Sequence, residues 1–386
     1  MGSRLAIWAS WGLLFLLVGG ENGGVFGSTN CGFPAIFNFG DSNSDTGASS
    51  SVAGEKLLPW GMTLGKKSKR ISDGRLIIDF LAEELGLPYL NATVDSIGTS
   101  YKHGANFATG GGKIGAPGIW DSYLRTPFSL DIQVSQFLRF KSRSLALYSS
   151  NNNSMNPLSK SILPEPEVFS KALYTIDIGQ NDQYFIFGNL NEMAAILDQF
   201  YNSVQRLLND GAKFLWVHNT CPYGCLSKQH PTEPCKQDGS PCPADEHGCA
   251  KSFNNVSQMF NSELKDRVNK LRAKYPEAVI TLVDVYSVKY SLFANPHGFG
   301  FDEAFNYCCG NTSISCGKRE LNLAGSEAEY YERARLTAPV CKDPSKYIIW
   351  DGIHFTEAAN RIVAKTIANG SHSDPPVPIT QACHKH

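Results

Sequence analysis

Ser42 stands in Phe39-Gly40-Asp41-Ser42-Asn43-Ser44-Asp45-Thr46-Gly47, directly after the apolar run from Ala35 to Phe39. A serine on a tight turn between a buried strand and a helix is where an exposed nucleophile is expected. Capping the next helix is the competing use of such a serine, and its flanks are not the G-x-S-x-G elbow. Near the other end, Asp351 and His354 stand in Trp350-Asp351-Gly352-Ile353-His354. Thr356 follows and can cap a helix running through Ile362 and Ile367. A serine nucleophile needs an imidazole to take its proton, and that imidazole needs a carboxylate to fix its tautomer and stabilise its cation. Taken alone, Asp-x-x-His is equally a surface carboxylate beside a packing or capping histidine.

Two middle segments supply hydrogen-bond donors. Gly104-Ala105-Asn106-Phe107-Ala108-Thr109-Gly110-Gly111-Gly112 follows a strand-like stretch, and its glycines let backbone N–H groups approach a ligand closely. Asp177-Ile178-Gly179-Gln180-Asn181-Asp182 ends another such stretch and brings a side-chain amide, although Asn is also a common turn or cap residue. Amides of this kind can hold a developing oxyanion.

These residues need a frame that gathers strand ends. Short apolar segments recur at Ala35 to Phe39, His103 to Ala108, Ala172 to Ile178, Phe214 to His218 and Val279 to Val285. Longer stretches with helical spacing separate them: Met193, Ile196, Leu197, Phe200, Val204, Leu207 and Leu208 share one face, and Gly211 closes that helix. Alternation of this kind predicts an α/β fold, a mostly parallel sheet with helices on both faces and ligand sites at the carboxyl ends of its strands. No repeat or linker-like break divides the chain. Ser144 to Pro166 is polar and Pro-containing and reads as an exposed loop, and Lys66 to Arg70 as a solvated basic one.

The sequence has 386 residues, 42% of them hydrophobic, so it can bury a large core. Lys+Arg 35 against Asp+Glu 36 leaves a net charge of -1, which argues against a dedicated nucleic-acid binder. At the N-terminus, Arg4 precedes an apolar run from Leu5 to Val18 and then small residues, which reads as a signal peptide over residues 1–27 with cleavage between 18 and 30. The run is short for a membrane anchor. Together with 11 cysteines and sequons at Asn91, Asn152, Asn255, Asn311 and Asn369, it points to an oxidising, glycosylating route and a secreted protein.

Gly-Asp-Ser, Gly-x-Asn-Asp and Asp-x-x-His in this order resemble the GDSL (SGNH) esterase/lipase family over essentially the whole mature chain. Gly74 to Phe80, Tyr174 to Asp182 and Val285 to Phe293 are similar to its plant secreted branch, close to early-nodulin-type esterases, the latex esterase and lanatoside acetylesterase. The resemblance implies a single flavodoxin-like hydrolase domain over residues 31–386. It implies Ser42 as nucleophile and Asp351 and His354 as orienter and base. The oxyanion hole would be formed by Ser42, Gly111 and Asn181; Gly111 is chosen among three glycines because it lies five residues after Asn106. It also implies hydrolysis of a small-molecule carboxylic ester, with short acyl groups on a glycoside or other plant metabolite favoured, in the apoplast or a vacuole. No cofactor, metal, nucleic acid or lasting membrane anchor enters this reading. A lipase is an alternative, with Ile114, Ile119, Trp120, Tyr123 and Phe128 lining an apolar mouth or else packing into a core. An acyltransferase using the same acyl-enzyme is another.

Two competing patterns are weaker. Gly110 to Gly115 matches G-x-G-x-x-G, with Asp131 beyond, but Ala116-Pro117-Gly118 interrupts the helix that a dinucleotide site requires. Cys221, Cys225, Cys235, Cys242 and Cys249, with His230 and His247, lack zinc-site C-x-x-C spacing. Disulfides pinning Cys-rich insertions at 221–249 and 308–341 are the better reading, with one thiol left over from the odd count.

Overall fold

The computed structural model describes residues 30–66, 68–95, 97–115, 126–149, 157–226, 243–320 and 335–385. The expected signal peptide lies outside them, and residues from Cys31 onward form one unit. Five strands, β1 (Ile36–Gly40), β2 (Gly104–Asn106), β3 (Leu173–Asp177), β4 (Phe214–His218) and β5 (Val279–Val283), pair in parallel in the order β2-β1-β3-β4-β5. Ser373–Asp374 adds a short antiparallel edge beside β5. This is the flavodoxin-like order, and the chain reverses its direction of winding at β1, where a crevice opens outside the strand ends.

Successive residues of a strand face opposite sides, so alternate side chains feed two cores. Phe37 and Phe39 pack into one with Val134, Phe137, Phe200, Val204, Phe260 and Leu264, which places the helices Leu130–Ser149, Glu192–Asn209 and Lys251–Lys274 on that face. Ile36, Leu173 and Trp216 pack into the other with residues of Ile77–Glu84, Val285–Ala294 and Glu357–Ala368. Strands sandwiched this way are apolar on both sides, as their sequences required.

Two sequence expectations fail here. Ser144 to Pro166 is not an exposed loop: helix Leu130–Ser149 continues through its start and Pro157–Ile162 forms another helix, while residues 150–156 lie outside the described ones. Polar residues hid the helical period, yet Leu145 packs on the core, Ser144 donates to the Phe140 carbonyl at 2.9 Å and Tyr148 Oη donates to the Leu163 carbonyl at 3.2 Å. In the basic stretch, Arg70 turns inward and grips Asp79 through Nε and Nη2 at 2.6 and 2.5 Å, with the partner carboxylate fully covered.

Disulfides tie down the irregular parts. Cys225–Cys249 closes the first insertion, Cys308–Cys341 and Cys309–Cys316 the second, and Cys31–Cys383 joins the two ends of the unit, a pairing no local pattern announced. Cys221 is the free, buried thiol among the described residues, whereas His230, Cys235 and Cys242 lie outside them. No described helix is long and apolar enough to cross a membrane.

Candidate active site

β1 ends at Gly40, whose N–H and carbonyl are both held by the Gln133 side chain, at 2.9 and 2.8 Å. A Cβ here would come within 2.4 Å of the Asp177 carbonyl oxygen, so only glycine lets β1 and β3 close at this point. The next residues loop back over a buried polar ladder. Asn38 Nδ2 donates to Asn106 Oδ1 at 2.8 Å and to Ser44 Oγ at 3.1 Å, Thr175 Oγ1 donates to Asn38 Oδ1 at 2.7 Å, and Asn106 Nδ2 donates to the Ser44 carbonyl at 2.6 Å. These bonds satisfy groups that would otherwise cost free energy in the core, and they fix the loop bearing Ser42 to three strands at once. Ser42 does not cap the following helix. Asp45 does, accepting from Gly47, Ala48 and Ser49 N–H groups, and it also takes the Gly110 N–H at 2.8 Å, which ties the serine loop to the glycine loop.

The C-terminal loop is fastened from the opposite side. Thr356 caps helix Glu357–Ala368 by accepting the Ala359 N–H at 3.2 Å, as its sequence position required. Glu357 accepts from the Arg75 backbone and guanidinium at 2.9 and 2.7 Å, Asp73 accepts the Glu357 N–H at 2.8 Å, and Ser72 Oγ donates to the Phe355 carbonyl at 2.9 Å. Gly74 leaves room for the Glu357 carboxylate, which would lie 2.0 Å from any Cβ there. The segment Ser72 to Arg75 is thus a clamp on the loop that carries His354.

Between these fastenings lies the relay. His354 Nε2 stands 2.8 Å from Ser42 Oγ, and His354 Nδ1 stands 2.7 Å from Asp351 Oδ2. The other Asp351 oxygen accepts the N–H groups of Ile353 and His354 at 3.0 and 2.8 Å. Burial alone would raise the Asp351 carboxyl, but His354 and these N–H donors outweigh it and hold the group below the usual carboxylate range. Ser42 is 5% exposed, so the hydroxyl sits in a recess and not on an open rim. An arrangement of this kind can remove a serine proton and keep the resulting imidazolium neutralised.

Helix Gln180–Gly188 starts at the end of β3, behind Gly179 at φ +120°. Asn181 lies in its first turn and donates from Nδ2 to the Gly112 carbonyl at 2.9 Å, which orients the amide and leaves it a second N–H. Gln180 Oε1 accepts from Asn43 Nδ2 at 3.0 Å, joining the neighbours of Ser42 and Asn181. Gly111 has φ +79°, a left-handed conformation that favours glycine. The N–H groups of Ser42 and Gly111 donate to no described residue.

Beneath the strand ends lies a polar layer the sequence pattern did not reveal. Asp41, Asp177, His218, Cys221 and Lys289 are all buried. Burial, with Asp177 nearby, pushes the Asp41 carboxyl up to about 8, although Asn43 donates to its Oδ1 from both backbone and side chain at 2.9 Å. Burial would raise Asp177 too, but His218 at 3.4 Å and the Lys289 ammonium keep it low. Lys289 also lies 4.6 Å from the Phe355 ring centre, directly beneath the histidine loop. A lysine inside the apolar run Val285 to Phe293 and a histidine closing an apolar strand were the available signals.

A prediction follows from the Asp41 environment. The folded protein keeps a proton that the unfolded chain releases near 3.8, so this group's contribution to stability is complete below that pH and is lost as pH rises towards about 8. Asp41→Asn cannot lose the proton. Its Tm should therefore fall less than that of the wild type between pH 5 and pH 9. Parallel Tm curves would mean that Asp41 is ionised in the fold.

The remaining expectations divide. Gly110 to Gly115 forms turns and bends with no helical residue, and residues 116–125, where a dinucleotide-binding helix would run, lie outside the described ones. Ile114 is 1% exposed and belongs to the core, not to an apolar mouth; Ile119, Trp120 and Tyr123 lie outside the described residues and Phe128 is half-buried. Asn255, Asn311 and Asn369 are exposed and Asn91 is half-buried, while Asn152 lies outside the described residues.

Comparison with known proteins agrees with this geometry. Residues 36–367 match the family described as GDSL-like Lipase/Acylhydrolase. An esterase of Hevea brasiliensis is 42% identical, the alignment covering 94% of this chain and 92% of the relative. GDSL esterase/lipase ENOD8 of Medicago truncatula is 39% identical over 94% and 92%, and a protein named alpha-L-fucosidase 3 of Arabidopsis thaliana is 43% identical over 88% and 91%. With the flavodoxin-like sheet, the Ser-His-Asp relay at its strand ends and these matches over nearly the full length, the chain belongs to the GDSL-like lipase/acylhydrolase family of carboxylic ester hydrolases.

Proposed function

We propose that this protein hydrolyses carboxylic esters through an acyl-enzyme on Ser42. The single observation that carries this reading is the continuous relay from Asp351 through His354 to Ser42, with links of 2.7 and 2.8 Å. His354 takes the Ser42 proton as Oγ attacks the ester carbonyl, and Asp351 holds the imidazole in place. The carbonyl oxygen becomes an oxyanion and receives hydrogen bonds from the N–H groups of Ser42 and Gly111 and from the Asn181 amide. His354 then protonates the departing alcohol. In the second half it activates water, which releases the acid and restores Ser42.

A short acyl group, such as acetyl, on a glycoside or other plant metabolite is the favoured substrate. It rests on the family resemblance and on Ile114 lying in the core instead of an acyl channel. The disulfides and the N-terminal apolar run support a signal peptide at 1–27 and a glycosylated protein secreted to the apoplast or a vacuole, with the hydrolase domain over 31–386. Glycosidase chemistry, raised by one relative's name, needs an acid and a second carboxylate flanking a sugar. Here Asp351 is engaged by His354, and Asp41 and Asp177 lie buried beneath the strand ends.

Initial rates on acetyl, butyryl and long-chain p-nitrophenyl esters, with and without an added alcohol, and on p-nitrophenyl fucoside decide among these. Acetyl or butyryl esters should be cleaved fastest, with the acid as main product and the fucoside untouched. A long-chain preference would make it a lipase, and transfer to the alcohol an acyltransferase. Fucoside cleavage at comparable rates would overturn the ester reading.

A further inference from the structure

Away from the relay residues, none of which lines it, helix Leu130–Ser149 leaves a cavity of about 410 Å³ against the segments carrying Thr93, Tyr101, Phe107 and Leu163. That volume lies within the roughly 300–1,000 Å³ range of small-molecule sites. Its walls are largely apolar: Val94, Tyr101, Phe107, Phe140, Leu147 and Leu163. Tyr101 and Phe107 form a buried floor, whereas Leu147 and Val94 are 45% and 39% exposed, large apolar side chains left open around one hollow.

Arg139 and Arg143 also line this cavity. They are four residues apart on one helix face, where like charges repel. Neither makes a hydrogen bond or ion pair with any described residue. Other arginines of the described fold behave differently: Arg70, Arg75, Arg206, Arg267, Arg272 and Arg361 all hold partners. Two adjacent guanidiniums without a partner beside an apolar hollow lack an anion, and a carboxylate on an apolar chain fits both their fork geometry and the hollow. We propose that this cavity is a second ligand site, separate from Ser42, which takes a medium-chain carboxylate with its head on Arg139 and Arg143 and its chain over Tyr101 and Phe107. The site is also placed to be felt at the relay: Phe107 stacks on Phe39 with ring centres 5.3 Å apart, and Phe39 precedes Ser42 by three residues.

Isothermal titration of the full-length secreted protein with decanoate tests this, using wild type and Arg139→Ala/Arg143→Ala. Both side chains are exposed and outside the catalytic machinery, so the variant should keep its fold by circular dichroism and its rate on acetyl ester. Decanoate should bind the wild type saturably at one site, still bind after Ser42 has been blocked by an organophosphonate, and lose about tenfold or more in affinity in the variant. Decan-1-ol should bind more weakly and decyltrimethylammonium not at all. Equal decanoate affinity in the variant, equal binding of the alcohol or the ammonium, or loss of binding on blocking Ser42 would each overturn the proposal.

Discussion

Ser42→Ala should abolish ester turnover, a loss on the order of 10⁶-fold in kcat, with the fold intact. The hydroxyl accepts no structural duty elsewhere: its contact is His354 Nε2 at 2.8 Å, while the surrounding loop is held by Asn38, Asp45 and Asn106. His354→Ala should cost nearly as much, because an unassisted serine hydroxyl is a poor nucleophile at neutral pH. The double variant should be scarcely worse than either single one, since the two residues act as one unit. Loss of Tm in Ser42→Ala comparable to that of a core truncation would mean that the hydroxyl is structural.

Asn181→Ala should lower kcat about 10²- to 10³-fold with little change in KM, the signature of a donor that acts on charge appearing only in the transition state. The Asn181 amide is already oriented by its bond to the Gly112 carbonyl, so no reorganisation is needed when the oxyanion forms. Steady-state kinetics on the acetyl ester separates the possibilities. A raised KM with kcat preserved would make Asn181 a substrate-binding residue.

Much of this frame is visible in the chain itself. The run Phe214 to His218 became β4 with no change of boundary, and Thr356 caps its helix as its position demanded. Apolar strands and helical stripes follow from burial, which depends on side-chain type alone, and so they can be read locally. The Asp351–His354 pair is also local, three residues apart. What joins it to Ser42 is not: the contact spans 312 positions and depends on Ser72, Asp73, Arg75 and Glu357 clamping one loop onto another. The ladder of Asn38, Asn106 and Thr175 was hidden for a related reason. A polar residue in an apolar run looks like an interruption until its partners on neighbouring strands are known. The same holds for Lys289 under the histidine loop. Ser144 to Ser149 went the other way, its serines masking a helix that Leu145 fastens to the core.

Peptide mapping by mass spectrometry after reaction with a p-nitrophenyl alkylphosphonate tests the central claim most directly, since the reagent leaves a stable tetrahedral adduct on an activated nucleophile. One adduct per chain, on the peptide containing Ser42, with loss of esterase activity in proportion and no labelling of His354→Ala, is the predicted result. Stoichiometric labelling at another residue, or full esterase activity with Ser42 labelled, would contradict it.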